Sequence, residues 1–276
     1  MTGYYWEPHT SSIDFCEANY LHFGNVVEVH NTWSSLVGIA SLGFIGAFWN
    51  NPTREVRTAL AYAILILVGV GSTCLHLSLH RIFQASDELP MIYMNNCITF
   101  MILEYNAPLG KPKYPNLPSL LGLLALFQTI IYYRFQHNFI VFLATYSSGV
   151  FLIVILGSRE MHIASRKRGP ITWQLFHSSF IAYVCVGTPA WILDTVYCEV
   201  LHGVYASLSS NVVLLNGITV HVLWHFAAAF GTYCAISCAS ACRMEELEIP
   251  FRLTYLGGVV PVMVRTDVKT TLGKQQ

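Results

Sequence analysis

The sequence predicts an all-α membrane protein with seven transmembrane helices, and three observations support that fold class. Hydrophobic residues make up 54% of the 276 residues and charged residues only 11%, whereas a soluble domain has about 25% charged residues. Seven stretches approach the roughly 20 apolar residues that a helix needs to cross the hydrocarbon layer. Lysine and arginine are concentrated in alternate connecting loops, as is typical of membrane proteins.

The predicted helices follow one another without an internal repeat or a low-complexity linker, so we expect one helical domain at residues 1–242. It includes a non-cytosolic segment at 1–31 and is followed by a cytosolic tail at 243–276. We expect the tail to be poorly ordered, except for an apolar patch at Leu256–Val264 placed at the membrane interface. The predicted spans are 32–49, 58–79, 89–105, 117–133, 139–157, 171–193 and 211–241.

Pro90 and Pro118 fall in the first turns of the third and fourth predicted spans. A proline is tolerated there because the first amide groups of a helix have no partner within the helix. Neither residue therefore counts against a span.

The positive charges predict the orientation, because cytosolic loops are enriched in lysine and arginine. If the N-terminus lies outside the cytosol, 13 of the 15 cationic side chains are cytosolic, and only Arg81 and Arg134 are not. This distribution also favours an odd number of spans. The N-terminal 31 residues lack the basic start and apolar core of a signal peptide, so the first span would act as its own insertion signal.

Histidines in two predicted spans form a candidate metal site. His221 and His225 are four residues apart and share a helix face. A third histidine from the second span would complete a catalytic zinc site with an open position for water. Spacing leaves both His76 and His80 as candidates, and we favour His76 because it lies deeper and one turn from Ser72. A lone intramembrane histidine is more often a hydrogen-bonded core residue, but the pair with a facing histidine and a nearby acid favours a metal.

An acidic pair, Asp87 and Glu88, stands before Pro90 on the same predicted side as His76. A carboxylate there could act as general base on a metal-bound water, and an aspartate before a helix is also an ordinary cap. Ser72 could stabilise an oxyanion or could simply pack against a neighbouring helix.

The N-terminal segment contains Asp14, Glu17, Asn19 and Glu28 within a short stretch. Calcium takes several oxygen ligands of these types, but the spacing is not that of an EF-hand. Chemistry alone therefore favours a solvated acidic segment.

Cys16 and Cys198 are the only cysteines predicted on the non-cytosolic side, where disulfides persist. A bridge between them would tie the N-terminal segment to the loop after the sixth span.

Taken together, these motifs resemble the alkaline ceramidases. They occur in the family's order and cover about residues 5–235. The matching pieces are Asp14-Phe15-Cys16-Glu17-Ala18-Asn19 with Glu28 and Asn31, Gly71-Ser72-Thr73-Cys74-Leu75-His76, Asp87-Glu88-Leu89-Pro90-Met91-Ile92-Tyr93, Trp191-Ile192-Leu193-Asp194 with Cys198-Glu199, and His221-Val222-Leu223-Trp224-His225.

The resemblance implies two metal sites and one disulfide. Zinc would be held by His76, His221 and His225, with Ser72 and Asp87 beside the metal-bound water. Cys16 and Cys198 fall on the family's disulfide pair. Two positions differ from the usual pattern: Phe15 stands where the family has tryptophan, and Thr73 replaces a larger residue. Calcium would be held by Asp14, Glu17, Asn19, Glu28 and the main-chain oxygen of Phe15.

The activity implied is zinc-dependent hydrolysis of the amide bond of ceramide to sphingosine and a free fatty acid. The substrate would be a membrane lipid (ceramide, dihydroceramide or phytoceramide), and the N-terminus would lie in the lumen of the endoplasmic reticulum or Golgi. No polybasic run indicates nucleic acid, and no obligate protein partner is evident.

Three alternatives remain open at this point. One is a related hydrolase of another lipid, such as the GPI-anchor remodelling proteins. Another is a seven-span lipid receptor resembling the adiponectin receptors, whose cytosolic N-terminus disagrees with the charge distribution. A transporter would need a polar path through both leaflets.

Overall fold

The computed structural model describes residues 4–207 and 216–267. Within these residues, seven long helices are followed by a two-stranded hairpin. A short helix lies before the last long one. The helices are α1 (Val29–Trp49), α2 (Val56–Ser78), α3 (Arg81–Glu104), α4 (Leu117–Phe135), α5 (Phe139–Ile163), α6 (Pro170–Val196), α7 (Cys198–Ser207) and α8 (His221–Glu246), and the strands are β1 (Phe251–Leu256) and β2 (Val260–Arg265).

Six of the long helices are apolar and long enough to cross a membrane, and α3 is the long helix that is not among them. Its 24 residues give sufficient length, but Arg81, Asp87, Glu88 and Glu104 lower its apolar character. The chain is therefore a multi-pass helical membrane protein. The seven-span count and the orientation of the termini stay predictions.

Helices α2, α3 and α8 form the buried centre of the bundle, where Tyr62, Ile98, Tyr233 and Ile236 belong to one apolar cluster. Helices α4 and α5 lie at the periphery, and only 6% of the most apolar window of each is buried. Apolar surface of this extent is found where a protein meets a membrane or a partner. The periphery of the bundle therefore suits lipid.

The two largest differences from the predicted spans are at the starts of α3 and α8. Helix α3 begins at Arg81, so Pro90 lies inside it instead of in its first turn. Proline cannot donate a helical hydrogen bond to the carbonyl four residues earlier, which is that of Ser86. Helix α8 begins at His221, since residues 216–220 form turns in which Gly217 adopts a positive φ of 81°. Residues 211–215 of the predicted seventh span lie outside the described residues.

The N-terminal segment lies over the end of α2, where the last carbonyl groups of a helix lack partners within the helix. Backbone amides of Val27 and Glu28 donate to the carbonyls of Leu77 and His76 at 3.1 and 3.0 Å. Leu79, in the left-handed conformation, ends the helix. We call this end of the bundle the histidine end, defined by Glu28, His76 and His221.

Residues 251–265 form the hairpin, so the expectation of poor order is wrong for Phe251–Tyr255 and Arg265, which lie outside the apolar patch. Phe251 pairs with Arg265 across its antiparallel strands. Within the patch, Val262 and Met263 are buried, whereas Leu256, Val259 and Val264 are exposed. Residues 268–276 of the predicted tail lie outside the described residues. We call this opposite end of the bundle the hairpin end, defined by Asn50 and Met263.

Asn50 attaches the hairpin to the bundle. Its side chain is fully buried and donates to Tyr62 Oη at 2.9 Å and Ser237 Oγ at 2.8 Å. It also accepts the amide of Met263 at 2.8 Å. One side chain thus satisfies donors and acceptors on two helices and the hairpin.

We expect Asn50→Ala to lower the free energy of unfolding by about 1–3 kcal/mol, because it leaves buried polar partners unsatisfied. Thermal unfolding in detergent measures this loss, and limited proteolysis reports whether the hairpin is released. Asn51→Ala, in the adjacent loop, is the control. Equal melting temperatures for the two variants would contradict the prediction.

Candidate metal centre and the cavity beside it

Three histidines from α2 and α8 converge at the histidine end. One ligand atom from each of His76, His221 and His225 lies within 4.8 Å of the other two. The ring centroids are 4.6–5.2 Å apart, and all three side chains are buried. His80, which spacing had left as an alternative, is placed elsewhere, with its Nε2 atom 2.8 Å from the carbonyl oxygen of Trp6.

An oxygen atom faces the outer nitrogen of each ring. His76 Nδ1 lies 2.5 Å from Glu28 Oε2. His225 Nδ1 lies 2.7 Å from Ser34 Oγ, whose own proton is donated to the carbonyl of Asn31. His221 Nδ1 lies 3.3 Å from Asp194 Oδ2, although the alignment falls short of a hydrogen bond. With the ring protons on Nδ1, facing these oxygen atoms, each Nε2 would be free to bind a metal, as in carboxylate–histidine–zinc triads.

The local shape of α1 brings Ser34 and Ser35 to the triad. Residues Ser35–Ala40 form a π-helical turn within α1, and such turns are frequent at functional sites. Ser35 Oγ lies 3.0 Å from Ser72 Oγ and donates to the carbonyl of Asn31 at 2.7 Å. Neither serine was singled out from the sequence, because a π turn has no clear signature in it.

The triad fits a divalent metal ion. One ligand atom from each histidine lies close enough to the other two for a single cation to contact all three. Imidazole ligands suit zinc, and three protein ligands with an open fourth position are the arrangement of catalytic zinc sites. Asp194 Oδ1 is buried without a hydrogen-bond partner, and a positive ion held by His221 would offset that cost.

The structure distinguishes the two acids of α3. Glu88 accepts hydrogen bonds from Tyr132 Oη at 2.6 Å and Gln84 Nε2 at 3.0 Å. Among the described residues, no side-chain hydrogen bond ties Asp87, which lines the same cavity as Ser72 and His76. Asp87 is therefore the carboxylate free to act on a bound molecule, and Glu88 is held in the wall.

Close packing of α2 against α3 positions Asp87. A Cβ atom built on Gly71 would lie 2.0 Å from the carbonyl oxygen of Ser86 and 2.8 Å from the amide nitrogen of Asp87. No side chain fits there, so glycine is required for this approach. Pro90 leaves the Ser86 carbonyl without its helical donor. Gly71 and Pro90 thus act together where Asp87 meets the triad.

The acidic N-terminal segment is packed against the bundle and is not solvated throughout. Glu17 and Glu28 are buried, and burial raises the pKa of each carboxyl to about 8. Glu17 caps α1 by accepting the amides of His30 at 2.7 Å and Asn31 at 2.8 Å. Asn19 Nδ2 donates to Asp14 Oδ2 at 3.2 Å.

A cation would suit this acidic cluster. Among the described residues, no lysine or arginine pairs with Asp14, Glu17 or Glu28, and buried charge without a partner is costly. The oxygen atoms match the ligands that calcium prefers. The ligand atoms of the triad lie within 4.8 Å of one another. The side-chain oxygen atoms of these three acids do not meet that distance.

Phe15 lies between the two candidate sites. Its ring centroid is 4.7 Å from that of His76 and 4.3 Å from that of His221. Its amide faces Glu28 Oε1 at 3.3 Å. The side chain at this position therefore contacts the triad, whereas sequence reasoning had assigned it only a main-chain role.

Cys16 and Cys198 form a disulfide with a Cα–Cα distance of 5.3 Å. It joins the N-terminal segment to the start of α7. The amide of Cys16 donates to Asp194 Oδ2 at 3.3 Å, the same oxygen that faces His221. Asp194 therefore links the disulfide to the triad.

A cavity of about 960 Å³ adjoins the triad. Its polar side chains at the histidine end are Ser72, Asp87 and Glu88, and most of the remaining wall is apolar. Phe151 and Ile192 line the cavity and also lie on the exposed outer surface of α5 and α6. The wall of the cavity therefore reaches the outer surface of the bundle at these two helices, where lipid would lie.

Comparison with known proteins gives consistent matches over nearly the whole chain. A family model described as Ceramidase matches residues 7–263. Alkaline ceramidase 3 of Mus musculus is 30% identical over 269 residues, which cover 94% of each chain. The alkaline ceramidase of Arabidopsis thaliana is 26% identical over 96% of this chain and 97% of its own. Alkaline ceramidase YPC1 of Saccharomyces cerevisiae is 28% identical over 88% of this chain and 80% of its own.

The position of Asp194 gives a prediction about metal affinity. We expect Asp194→Asn to weaken zinc binding by about 10- to 100-fold, because the variant loses the charge that faces the His221 ring. Competition with a chromophoric chelator measures this affinity without any substrate.

Glu199→Gln is the matched control, since it removes an exposed acid beside the same disulfide. Unchanged zinc affinity in Asp194→Asn would show that this carboxylate does not position His221.

Proposed function

The chain belongs to the ceramidase family, and from that premise we propose that it hydrolyses the amide bond of ceramide in a zinc-dependent reaction. The products would be a sphingoid base and a free fatty acid. The observation that supports this most directly is the buried triad of His76, His221 and His225 beside an apolar cavity whose wall reaches the outer surface of the bundle. We further propose that the N-terminus lies in the lumen of the endoplasmic reticulum or Golgi.

The substrate class suits the cavity. Ceramide has two long tails and a small polar head, so its transfer through water would expose a large apolar surface. Entry between α5 and α6 would avoid that exposure. The polar head and the amide would then meet the side chains at the histidine end.

Zinc, when bound by the triad, would polarise the amide carbonyl and lower the pKa of a water molecule to near 7. Asp87 would accept a proton from that water as its oxygen attacks the carbonyl carbon. Asp87 would then give the proton to the amide nitrogen as the C–N bond breaks. The amine leaves, the fatty acid remains, and the carboxylate of Asp87 is restored.

Ser72 would stabilise the oxyanion that forms on the carbonyl oxygen. Because Ser35 donates its only proton to the Asn31 carbonyl, the hydroxyl of Ser72 is the donor in the contact between the two serines. That hydroxyl would rotate from Ser35 to the substrate oxygen. Ser35 Oγ, the acceptor 3.0 Å away, would keep this hydroxyl in place until the substrate arrives.

Two substitutions test the zinc site in detergent-purified protein supplied with ceramide. We expect His221→Ala to lose both zinc and hydrolysis. We expect Asp87→Asn to keep zinc and lose about 10²- to 10⁴-fold in rate, because only the proton transfer is removed. Product release and zinc content are measured on the same samples.

His80→Ala is the matched control, since His80 also lies at the end of α2 but outside the triad. Full hydrolysis by His221→Ala at unchanged zinc content would refute the metal assignment. Loss of zinc in the control would show that the triad is not the site.

The acidic N-terminal segment would hold calcium through Asp14, Glu17, Asn19, Glu28 and the main-chain oxygen of Phe15. Calcium there would balance the buried carboxylates and fix Glu28 against His76. Its role would be structural, since the acidic segment contributes no reacting group.

We expect a calcium-selective chelator to lower both activity and melting temperature while zinc stays bound, and added calcium to restore them. Asp14→Asn should respond less to calcium, because one ligand charge is lost. If neither activity nor melting temperature responds to calcium, the calcium site is refuted and the segment is an acidic cluster without a metal.

A further inference from the structure

The cavity is longer than one leaflet of the membrane is thick. Its wall on α8 runs from His221 to Cys242. Seventeen residues separate His225 from Cys242, or about 25 Å at about 1.5 Å per residue. Half of a hydrocarbon layer of about 30 Å is only about 15 Å. The cavity therefore extends past the middle of the membrane towards the hairpin end.

Small side chains keep the far half of the cavity open, because those of α8 leave space that leucine or phenylalanine would fill. The far end is polar: Tyr105 Oη donates to Glu160 Oε2 at 3.1 Å, and the Arg168 guanidinium lies 4.8 Å from the Tyr105 ring centroid. An apolar chain would stop there, because passing further would desolvate these groups. The small lining residues of α8 include Ala228, Ala229, Gly231, Ala235, Cys238 and Cys242.

We propose that this far half holds the N-acyl chain of the substrate and that Gly157 and Ala235 set which chain lengths are accepted. The proposal rests on the proposed ceramide hydrolysis. An extended chain with C–C bonds of about 1.5 Å advances about 1.25 Å per bond. A depth of about 25 Å therefore takes about 20 carbons. The substrates would be ceramides with long acyl chains.

The acyl chain suits this space better than the sphingoid tail. It starts at the carbonyl carbon, which must lie at the triad, and has no polar group beyond it. The sphingoid base carries hydroxyl groups close to the amide nitrogen, and these need the polar side chains at the histidine end. Its tail would leave the cavity beside Phe151 and Ile192.

Gly157 on α5 offers a position at which to block the far half. A Cβ atom there would lie 3.9 Å from Phe176 Cε2 and 4.0 Å from Ile102 Cδ1, which are ordinary contacts. All three residues line the cavity. Gly157→Leu would project into the cavity without a backbone clash, and leucine favours a helix more than glycine does.

The experiment compares ceramides that share one sphingoid base and differ in their acyl chains, of six, twelve, eighteen or twenty-four carbons. We expect Gly157→Leu to reduce hydrolysis of the two longest substrates by at least about tenfold, because overpacking is unfavourable. Hydrolysis of the six-carbon substrate should change by less than about twofold. Gly122→Leu is the matched control, since Gly122 lies on α4 with open space around it.

Ala235→Leu provides a second block on the opposite wall, ten residues beyond His225 and so about 15 Å below it. It should give the same length profile. Three outcomes would overturn the proposal. The variants could lose activity equally on all acyl lengths, or could keep the wild-type dependence on acyl length. They could also respond to the length of the sphingoid base instead of the acyl chain.

Thermal stabilisation by free fatty acids tests the same space without turnover. Wild-type protein should be stabilised more by an eighteen-carbon than by a six-carbon fatty acid, and Gly157→Leu should abolish the difference. If no ceramide is hydrolysed but this difference is found, the proposed function fails and the chain-binding site stands. If ceramide is hydrolysed without a length-dependent block, only the inference fails.

Discussion

The contact between Glu28 and His76 joins the two polar centres of the molecule. Glu28 Oε2 faces the ring of His76 at 2.5 Å, and Oε1 faces the amide of Phe15 at 3.3 Å. The backbone amide of Glu28 also donates to the His76 carbonyl at 3.0 Å. A fully buried carboxylate is costly without such partners. The N-terminal segment and the triad therefore depend on each other. A substitution that moves Glu28 would directly change the surroundings of His76.

The same contact explains how the N-terminal segment, which lies outside the helices, can affect the histidines inside the bundle. Asp194 and the disulfide between Cys16 and Cys198 hold the segment from its other side. The Phe15 ring covers His76 and His221. Among the described residues, the oxygen atoms that face the outer nitrogens of the triad come from this segment, from Ser34 just before the π turn of α1, and from the end of α6. Rigid support of this kind keeps ligands in the geometry that a metal-assisted reaction needs.

The cavity has different side chains at its two ends. Groups that can transfer protons or stabilise charge lie at the histidine end, while most of the remaining wall is apolar. In the proposed reaction, the histidine end would act on the amide, and the shape of the apolar wall would select the tail length. Two of the acids that make α3 less apolar, Asp87 and Glu88, line the cavity.

The sequence by itself determined the membrane class, the seven long helices and the family, because apolar composition, periodicity and paired histidines are local properties. The Gly257-Gly258 pair is also a local property that indicates a hairpin turn, and both residues adopt a positive φ there, 59° and 76°. The sequence favoured His76 over His80, but only the tertiary structure placed His76 with the other two histidines and gave Ser34, Ser35 and Asp194 their contacts. Those placements depend on which side chains meet across helices, and a close approach such as that of Gly71 to Ser86 is set by packing between segments far apart in the chain.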